Sequence, residues 1–411
     1  MLQPYRAILA RPGAAAFSVA CALARLPMSM VGIAIVLMVS EVYGSYGLAG
    51  RISAAQVITH ALCSPQLSRL VDRFGQARVM RPAVVVTAIG IVGLVVPTLL
   101  HASPWFLYAA AVVTGAAGGS VGALVRARWS HLLRDPRQLH SAYSLESALD
   151  EVVFIVGPVL ATVLATSVHP VAGLVVPVVA VLVGGTWFFS QRATEPPVVV
   201  REPGEPRPFV LRSGGMVVLA VVFVFMGAIF GATDVATVAF AEEQGSKGAA
   251  GVILAIFAAG SLVAGLGYGA RHWVSPLWRR FAIGMVALAV GVSLFFFVTS
   301  LVVLAAVMFV VGLTIAPTLI NGNALVQQLV PRGQLTEGLT WVGTALGVGV
   351  SFGSSIAGSM IDQGGSHAGF LVVVVSGGLA VVAVLAATGT LRRSEERYVA
   401  STAAPAEAEA A

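Results

Sequence analysis

About twelve apolar runs of roughly 19 to 27 residues follow one another along this chain, and a run near 20 is what a helix needs to cross a bilayer core of about 30 Å. The gaps between the runs are short, and arginines gather in every second gap. Basic residues collect in the cytoplasmic loops of such chains and set their orientation. With the N-terminus in the cytoplasm, Arg25 falls inside the first run, and Arg51 and Lys247 fall on the far side. The other 21 of the 24 basic residues, Arg126 and Arg128 included, are then cytoplasmic. The expected fold is all-α, a polytopic membrane protein with twelve transmembrane helices. They lie near 14–40, 48–68, 83–101, 104–126, 141–166, 171–190, 214–240, 249–270, 281–299, 301–325, 336–361 and 369–390. Both termini are expected in the cytoplasm, with the chain in the inner (plasma) membrane.

Composition excludes several other classes. Charged residues make up 10% of the 411, against about 25% in a soluble domain. The net charge of +6 is spread over short loops; it suits anionic lipid headgroups and not nucleic acid. Cys21 and Cys63 sit inside apolar runs without a second ligand at metal spacing, and the seven histidines are scattered. No metal site is expected. The only lysine is Lys247, and no phosphate-binding loop precedes it, so ATP drive is not expected. With no nucleophile–base pair either, the chain reads as no enzyme and as needing no cofactor. The first apolar run follows Arg6 and Arg11 and continues to about Ser40. That is longer than a signal-peptide core, so it reads as a retained first helix.

The longest gap, 191–213, carries Pro196, Pro197, Pro203, Pro206 and Pro208 among mixed charges. It reads as a solvated cytoplasmic linker between a six-helix bundle at 1–190 and another at 214–391. The end, 392–411, reads as a disordered cytoplasmic tail. The halves also look like repeats. Ser45-Tyr-Gly-Leu-Ala-Gly50 matches Ser246-Lys-Gly-Ala-Ala-Gly251, and Arg78 matches Arg279 at the same offset. Pro136-Arg137 recurs as Pro331-Arg332, and Gly157-Pro158 corresponds to Gly353-Ser354. The order is the same along both halves, as in transporters built from parallel repeats.

The loop after the second run reads Ser68-Arg-Leu-Val-Asp72-Arg73-Phe-Gly75-Gln-Ala-Arg78. It resembles the signature loop of the major facilitator superfamily, Gly-x-Leu-x-Asp-Arg-x-Gly followed by basic residues. Ser68 replaces the leading glycine, and Gln76 and Ala77 stand where two basic residues are expected. The resemblance implies a twelve-helix transporter that alternates access between two bundles. In it Asp72, Arg73, Gly75 and Arg78 act as a gating loop that latches one state. The residues suit that role. Gly75 permits a turn with positive φ, Asp72 can accept from a helix N-terminus, and the arginines can hold carboxylates.

Charges inside the bilayer are expensive and are functional candidates. Arg25 lies roughly 16 Å into the first helix and Asp150 roughly 14 Å into the fifth, at 1.5 Å per residue. Glu146 shares the face of Asp150, and Glu151 is turned about 100° away. Arg25 is expected to be held by the fifth helix, first of all by Asp150. The cluster reads either as a structural ion pair or as a proton-coupling group. Three carboxylates within six residues repel one another, and one not paired with Arg25 suits the role of proton carrier.

In the second half Asp234 and Thr237 on the seventh helix, and Thr314, Thr318 and Asn321 on the tenth, are candidate substrate-cavity residues. This rests on the resemblance, in which helices 1, 4, 7 and 10 line a central cavity. The bland reading is hydrogen bonding between helices. Gly157-Pro158 resembles a motif of the drug/proton antiporter branches, although Val153 replaces one of that motif's glycines. The expected function is proton-coupled export of small hydrophobic or amphipathic molecules, with the chain working as a monomer. The alternatives are import of a small nutrient or metabolite and, further off, a receptor or scaffold that keeps the fold without transport.

Overall fold

Hydrocarbon offers a peptide group no hydrogen-bond partner, so a segment inside it closes its bonds on itself as a helix. In the computed structural model, which describes residues 3–198, 209–246, 248–271 and 273–410, every regular element is helical. Lys247 and the linker residues 199–208 lie outside the described residues. The chain divides into two units, residues 2–142 with 149–200, and residues 143–148 with 201–411.

The first unit opens with a short helix, α1 (Gln3–Leu9), and a long one, α2 (Ala14–Tyr43). Then come α3 (Tyr46–Phe74), α4 (Gln76–Leu99), α5 (Pro104–Ala117), α6 (Val121–Leu132) and α7 (Pro136–Ser167). A 3-10 turn at Pro170–Leu174, α8 (Val175–Ala180), a π turn at Val181–Gly185 and α9 (Thr186–Ser190) complete it. Local signals set the starts. The Ser45 hydroxyl accepts from the Leu48 amide at 3.2 Å, the Asp135 carboxylate accepts from the Arg137 amide at 2.9 Å, and proline opens α5 and α7. The second unit comprises α10 (Gly214–Glu243), α11 (Ala249–Gly269), α12 (Leu277–Ser293), α13 (Leu301–Gly312), α14 (Ile315–Leu329) and α15 (Leu335–Ala410).

Ten helical stretches are long and apolar enough to cross a membrane, where twelve were expected. The difference lies in two places. α3 has the length, at 29 residues, but Arg51, Gln56, His60, Gln66, Arg69, Asp72 and Arg73 make it too polar to count by composition. The last stretch, 64 residues from Leu335 to Tyr398, joins what were read as two helices across a break at Gly365, where φ is 72° and ψ is −173°. The Ser366 amide after that break donates to the Glu243 carboxylate at 2.6 Å. The alanine-rich end, expected to be disordered, is helical to Ala410; Ala and Glu are strong helix formers.

Without a hydrophobic force between helices in lipid, close backbone approach has to hold them together, and small residues permit it. Gly227 and Gly231 on α10 face Gly349 and Gly353 on α15. A Cβ on Gly227 would fall on the Leu346 carbonyl oxygen, and on Gly231 on that of Val350. A Cβ on Gly349 or Gly353 would fall on the Val224 or Ala228 oxygen. The first unit does the same at Gly157, whose missing Cβ leaves room for the Ser29 hydroxyl, and at Gly115 against the Gln56 carbonyl. α7 runs unbroken through Pro158.

Gly353→Val should lower the thermal stability of the detergent-solubilised protein sharply, since overpacking costs about 1–3 kcal/mol or more. Gly358→Ala, where no heavy atom lies within 4 Å, should change it little. Equal melting temperatures for the two variants would contradict the packing argument.

Candidate functional site

Arg25 lies on α2, 1% exposed, and Asp150 lies on α7. The Arg25 guanidinium forms an ion pair with Asp150 Oδ1, and its Nε donates to the Cys21 carbonyl at 3.4 Å. The second oxygen of Asp150 is taken by another arginine. Arg126 Nη2 on α6 reaches Oδ2 at 2.8 Å, and Arg126 Nη1 donates to the Gly122 carbonyl at 3.1 Å. One carboxylate thus bridges two guanidinium groups from two other helices. Along α7, Glu146 is fully buried and Glu151 half-buried; both are engaged in interactions of their own.

Arg126 and Arg128, expected on the cytoplasmic side, are enclosed by the protein and not solvated in a loop. They are 8% and 0% exposed. The apolar run seemed to end at the two arginines, but the helix continues to Leu132 and stops only before Asp135-Pro136, which opens α7. The sequence did carry a signal for what happens earlier. Gly118-Gly119-Ser120 interrupts an apolar run, and Gly119 adopts a φ of +58°. The stretch 104–132 is therefore two half-helices, α5 and α6. The stretch 301–329, also 29 residues long, is likewise divided into α13 and α14. Interrupted helices at corresponding places in two repeats are pointers to a transporter's binding region.

The signature loop is tight. α3 ends at Phe74, Gly75 alone separates it from α4, and its φ of +92° requires glycine. Arg73 and Arg78 are exposed and flank the Phe74 ring, at 5.0 and 5.9 Å from its centroid. Asp72 is half-buried and engaged. The start of α4 is held by a residue that sequence reasoning missed. Glu195, just past the last helix of the unit, accepts from the Ala77 amide at 2.9 Å. Next to it Arg128 donates to Gln76 Oε1 at 2.8 Å and to the Gln191 carbonyl and Thr194 hydroxyl at 3.0 Å, and lies 3.9 Å above the Phe188 ring. The second unit repeats the device. Glu395 accepts from the Leu277 and Trp278 amides at 2.9 and 3.1 Å, at the start of α12. A carboxylate at a helix start is favoured by the helix dipole.

The candidate cavity residues of the second half divide. Asp234 is exposed on α10, and among the described residues it makes no hydrogen bond or ion pair. Thr237, Thr318 and Asn321 are buried and occupied. The Thr237 hydroxyl donates to the Thr233 carbonyl, Thr318 to Thr314 and Thr314 to Val311, each at 2.7 Å. Asn321 exchanges hydrogen bonds with the Tyr268 hydroxyl at 2.9 and 3.1 Å. Thr318 also packs where Gly284 lacks a Cβ, as Thr114 does at Gly90. The stripe's polar groups are thus bonded within their own helix, or to Tyr268 in the case of Asn321, and Thr314 is half-buried beside them.

The repeat supplies an internal comparison for the ion cluster. Ser29 lies at Gly157, and Ala228 at Gly353. Four residues before these stand Arg25 in one half and Val224 in the other. Seven before the glycines stand Asp150 and Leu346. The fold thus accommodates apolar residues where the first half places charge.

Removing one partner strands the other in a buried place. Arg25→Ala and Asp150→Ala should each destabilise the protein, and the double variant should recover part of the loss. A double-mutant cycle on thermal stability should give a coupling of about 1 kcal/mol or more. Strictly additive losses would mean that the pair contributes nothing.

The family model described as Major Facilitator Superfamily matches residues 17–299 and 236–409. The human organic anion transporter MFSD10 (TETRAN) is a similar solved structure, with TM-score 0.70, 15% identity, and cover of 90% of this chain and 97% of that one. A bacterial homologue of the iron transporter ferroportin, in an outward-facing state, is another, with TM-score 0.73, 14% identity, and cover of 93% and 99%. No curated protein matches the chain. At these identities the solved structures speak for the fold, and the family model for descent. The chain belongs to the Major Facilitator Superfamily, a multi-pass membrane transporter and not an enzyme.

Proposed function

We propose that the chain exports small hydrophobic or amphipathic molecules in exchange for protons. In this reading it is a monomer in the inner (plasma) membrane with both termini in the cytoplasm. Its bundles, 1–190 and 214–391, alternate access between the two sides of the membrane. The observation that carries the reading is the Arg25–Asp150–Arg126 cluster. Buried charge is expensive in a membrane, and the matching place in the second half is apolar, so packing alone does not account for it. Asp150 is bridged by two guanidinium groups and is read as the structural member of the cluster. Glu146, Glu151 and the unpaired Asp234 are the carboxylates left for the proton. The few polar groups and the Val- and Phe-rich helices suit an apolar cargo; a sugar would need many hydrogen-bond partners.

Glu146→Gln, Glu151→Gln and Asp234→Asn should be tested singly for uptake into inside-out vesicles driven by a pH gradient, over a compound panel. At least one should lose the drive while keeping downhill exchange. Full drive in all three would refute proton coupling through these groups.

The signature loop lies at a helix junction outside the bilayer, and in this reading it governs switching. Asp72→Asn should lower turnover several-fold and leave equilibrium substrate affinity within about threefold, less than about 1 kcal/mol. A large affinity loss with normal turnover would contradict the latch.

A further inference from the structure

The break in the stretch 104–132 leaves a half-helix that starts inside the membrane. α5 supplies 14 residues, about 21 Å of helix at 1.5 Å per residue, less than the core of about 30 Å, so α6 begins inside the bilayer. Ser120 precedes it without a side-chain cap. Among the described residues the amides of Val121 and Gly122 have no acceptor. Ser120, Val121 and Gly122 are half-buried, whereas residues 123–129 are buried. The reachable part of α6 is therefore its positive end.

A second, independent observation falls at the same place. The Arg126 guanidinium folds back over the bare Cα of Gly122, where a Cβ would stand 3.2 Å from Nη1. Nη1 bonds the Gly122 carbonyl and Nη2 bonds Asp150. Nε is buried and has no partner. A cation, an unused donor and two free amides thus gather in the first turn of one half-helix, and Asp150, itself a carboxylate, already occupies one side of the guanidinium. The matching half-helix of the second unit has none of this. Its first residues, Ile315 and Ala316, are buried, and α14 carries no basic residue.

We propose that the start of α6 and Arg126 form a subsite for the anionic head, above all a carboxylate, of a molecule with an apolar body. The incoming anion takes the place of Asp150 beside Arg126, while Arg25 keeps Asp150. The guanidinium fork matches a carboxylate, and helix-start amides bind anions. The inference rests on the reading of the chain as an exporter of amphipathic molecules, and narrows the cargo to anions.

The test uses the full-length protein in lipid nanodiscs and three probes of one shape: naphthalene-2-carboxylate, naphthalene-2-carboxamide and naphthalen-2-ylmethylammonium. The carboxylate should bind at least about tenfold more tightly than the other two. Arg126→Gln should abolish that preference and leave carboxamide affinity within about threefold. Asp150→Asn should tighten carboxylate binding, because the internal competitor is gone. Equal affinities in the unaltered protein, or a preference that survives Arg126→Gln, would overturn the proposal. Should Arg126→Gln not fold, Arg126→Lys, which keeps the charge and loses the fork, should weaken carboxylate binding alone; unchanged binding there would overturn it too. Vesicle transport of the same probes separates the two readings. Export of the carboxamide and ammonium without the carboxylate would sink the anion subsite and keep the exporter. Selective carboxylate binding with no export of any probe would do the reverse.

Discussion

Every peptide group inside a bilayer must find its hydrogen bond within the protein, and the architecture follows from that demand. It forces helices, and it makes any departure from helix conspicuous. Here the departures inside the apolar stretches are few. Gly118–Ser120 divides α5 from α6, Leu313–Thr314 divides α13 from α14, and Gly365 interrupts α15. The same demand governs association. Helices that gain little from leaving lipid are held by close backbone contact, so Gly227, Gly231, Gly349 and Gly353 act as the surface on which α10 and α15 meet.

Against that apolar scaffold the ion cluster stands out by its asymmetry. The two units share helix junctions, Gly–Thr contacts and carboxylate-capped helix starts, yet only the first has Arg25, Arg126 and Asp150. Where the second half manages with Val224 and Leu346, the first retains three charges that cost solvation energy to bury. A carboxylate shared by two guanidinium groups is also a device with alternatives. Each arginine can lose it while the other holds it, which a simple pair cannot do.

Much of this was legible in the sequence, and the exceptions have physical reasons. Apolar run length marks helices well because the bilayer sets it, so the all-α fold and most span positions could be read directly. Arg25 and Asp150 could be paired on depth alone, because both helices were counted from the same face. Arg126 escaped as a partner of Asp150 because two arginines at the end of an apolar run look like a boundary; only the fold brings its guanidinium to that carboxylate. α3 is long enough to span but too polar to be recognised as such by composition. The Thr314–Thr318–Asn321 stripe was visible, but not its occupancy, since a side chain that bonds its own helix has the same spacing as one that faces a cavity. Glu195 and Glu395 were invisible because each acts on an amide 118 residues earlier, far beyond any local pattern.

That long reach has a consequence for how the chain is made. Within each half, the third helix emerges from the ribosome long before the glutamate that caps it. The start of α4 waits for Glu195, and the start of α12 waits for Glu395, so neither junction is closed until the last helix of its own half has been synthesised. The first half can close this way before the second is complete, because its clasp draws on nothing beyond residue 195. Each clasp thus marks the point in synthesis at which all the residues it needs are present.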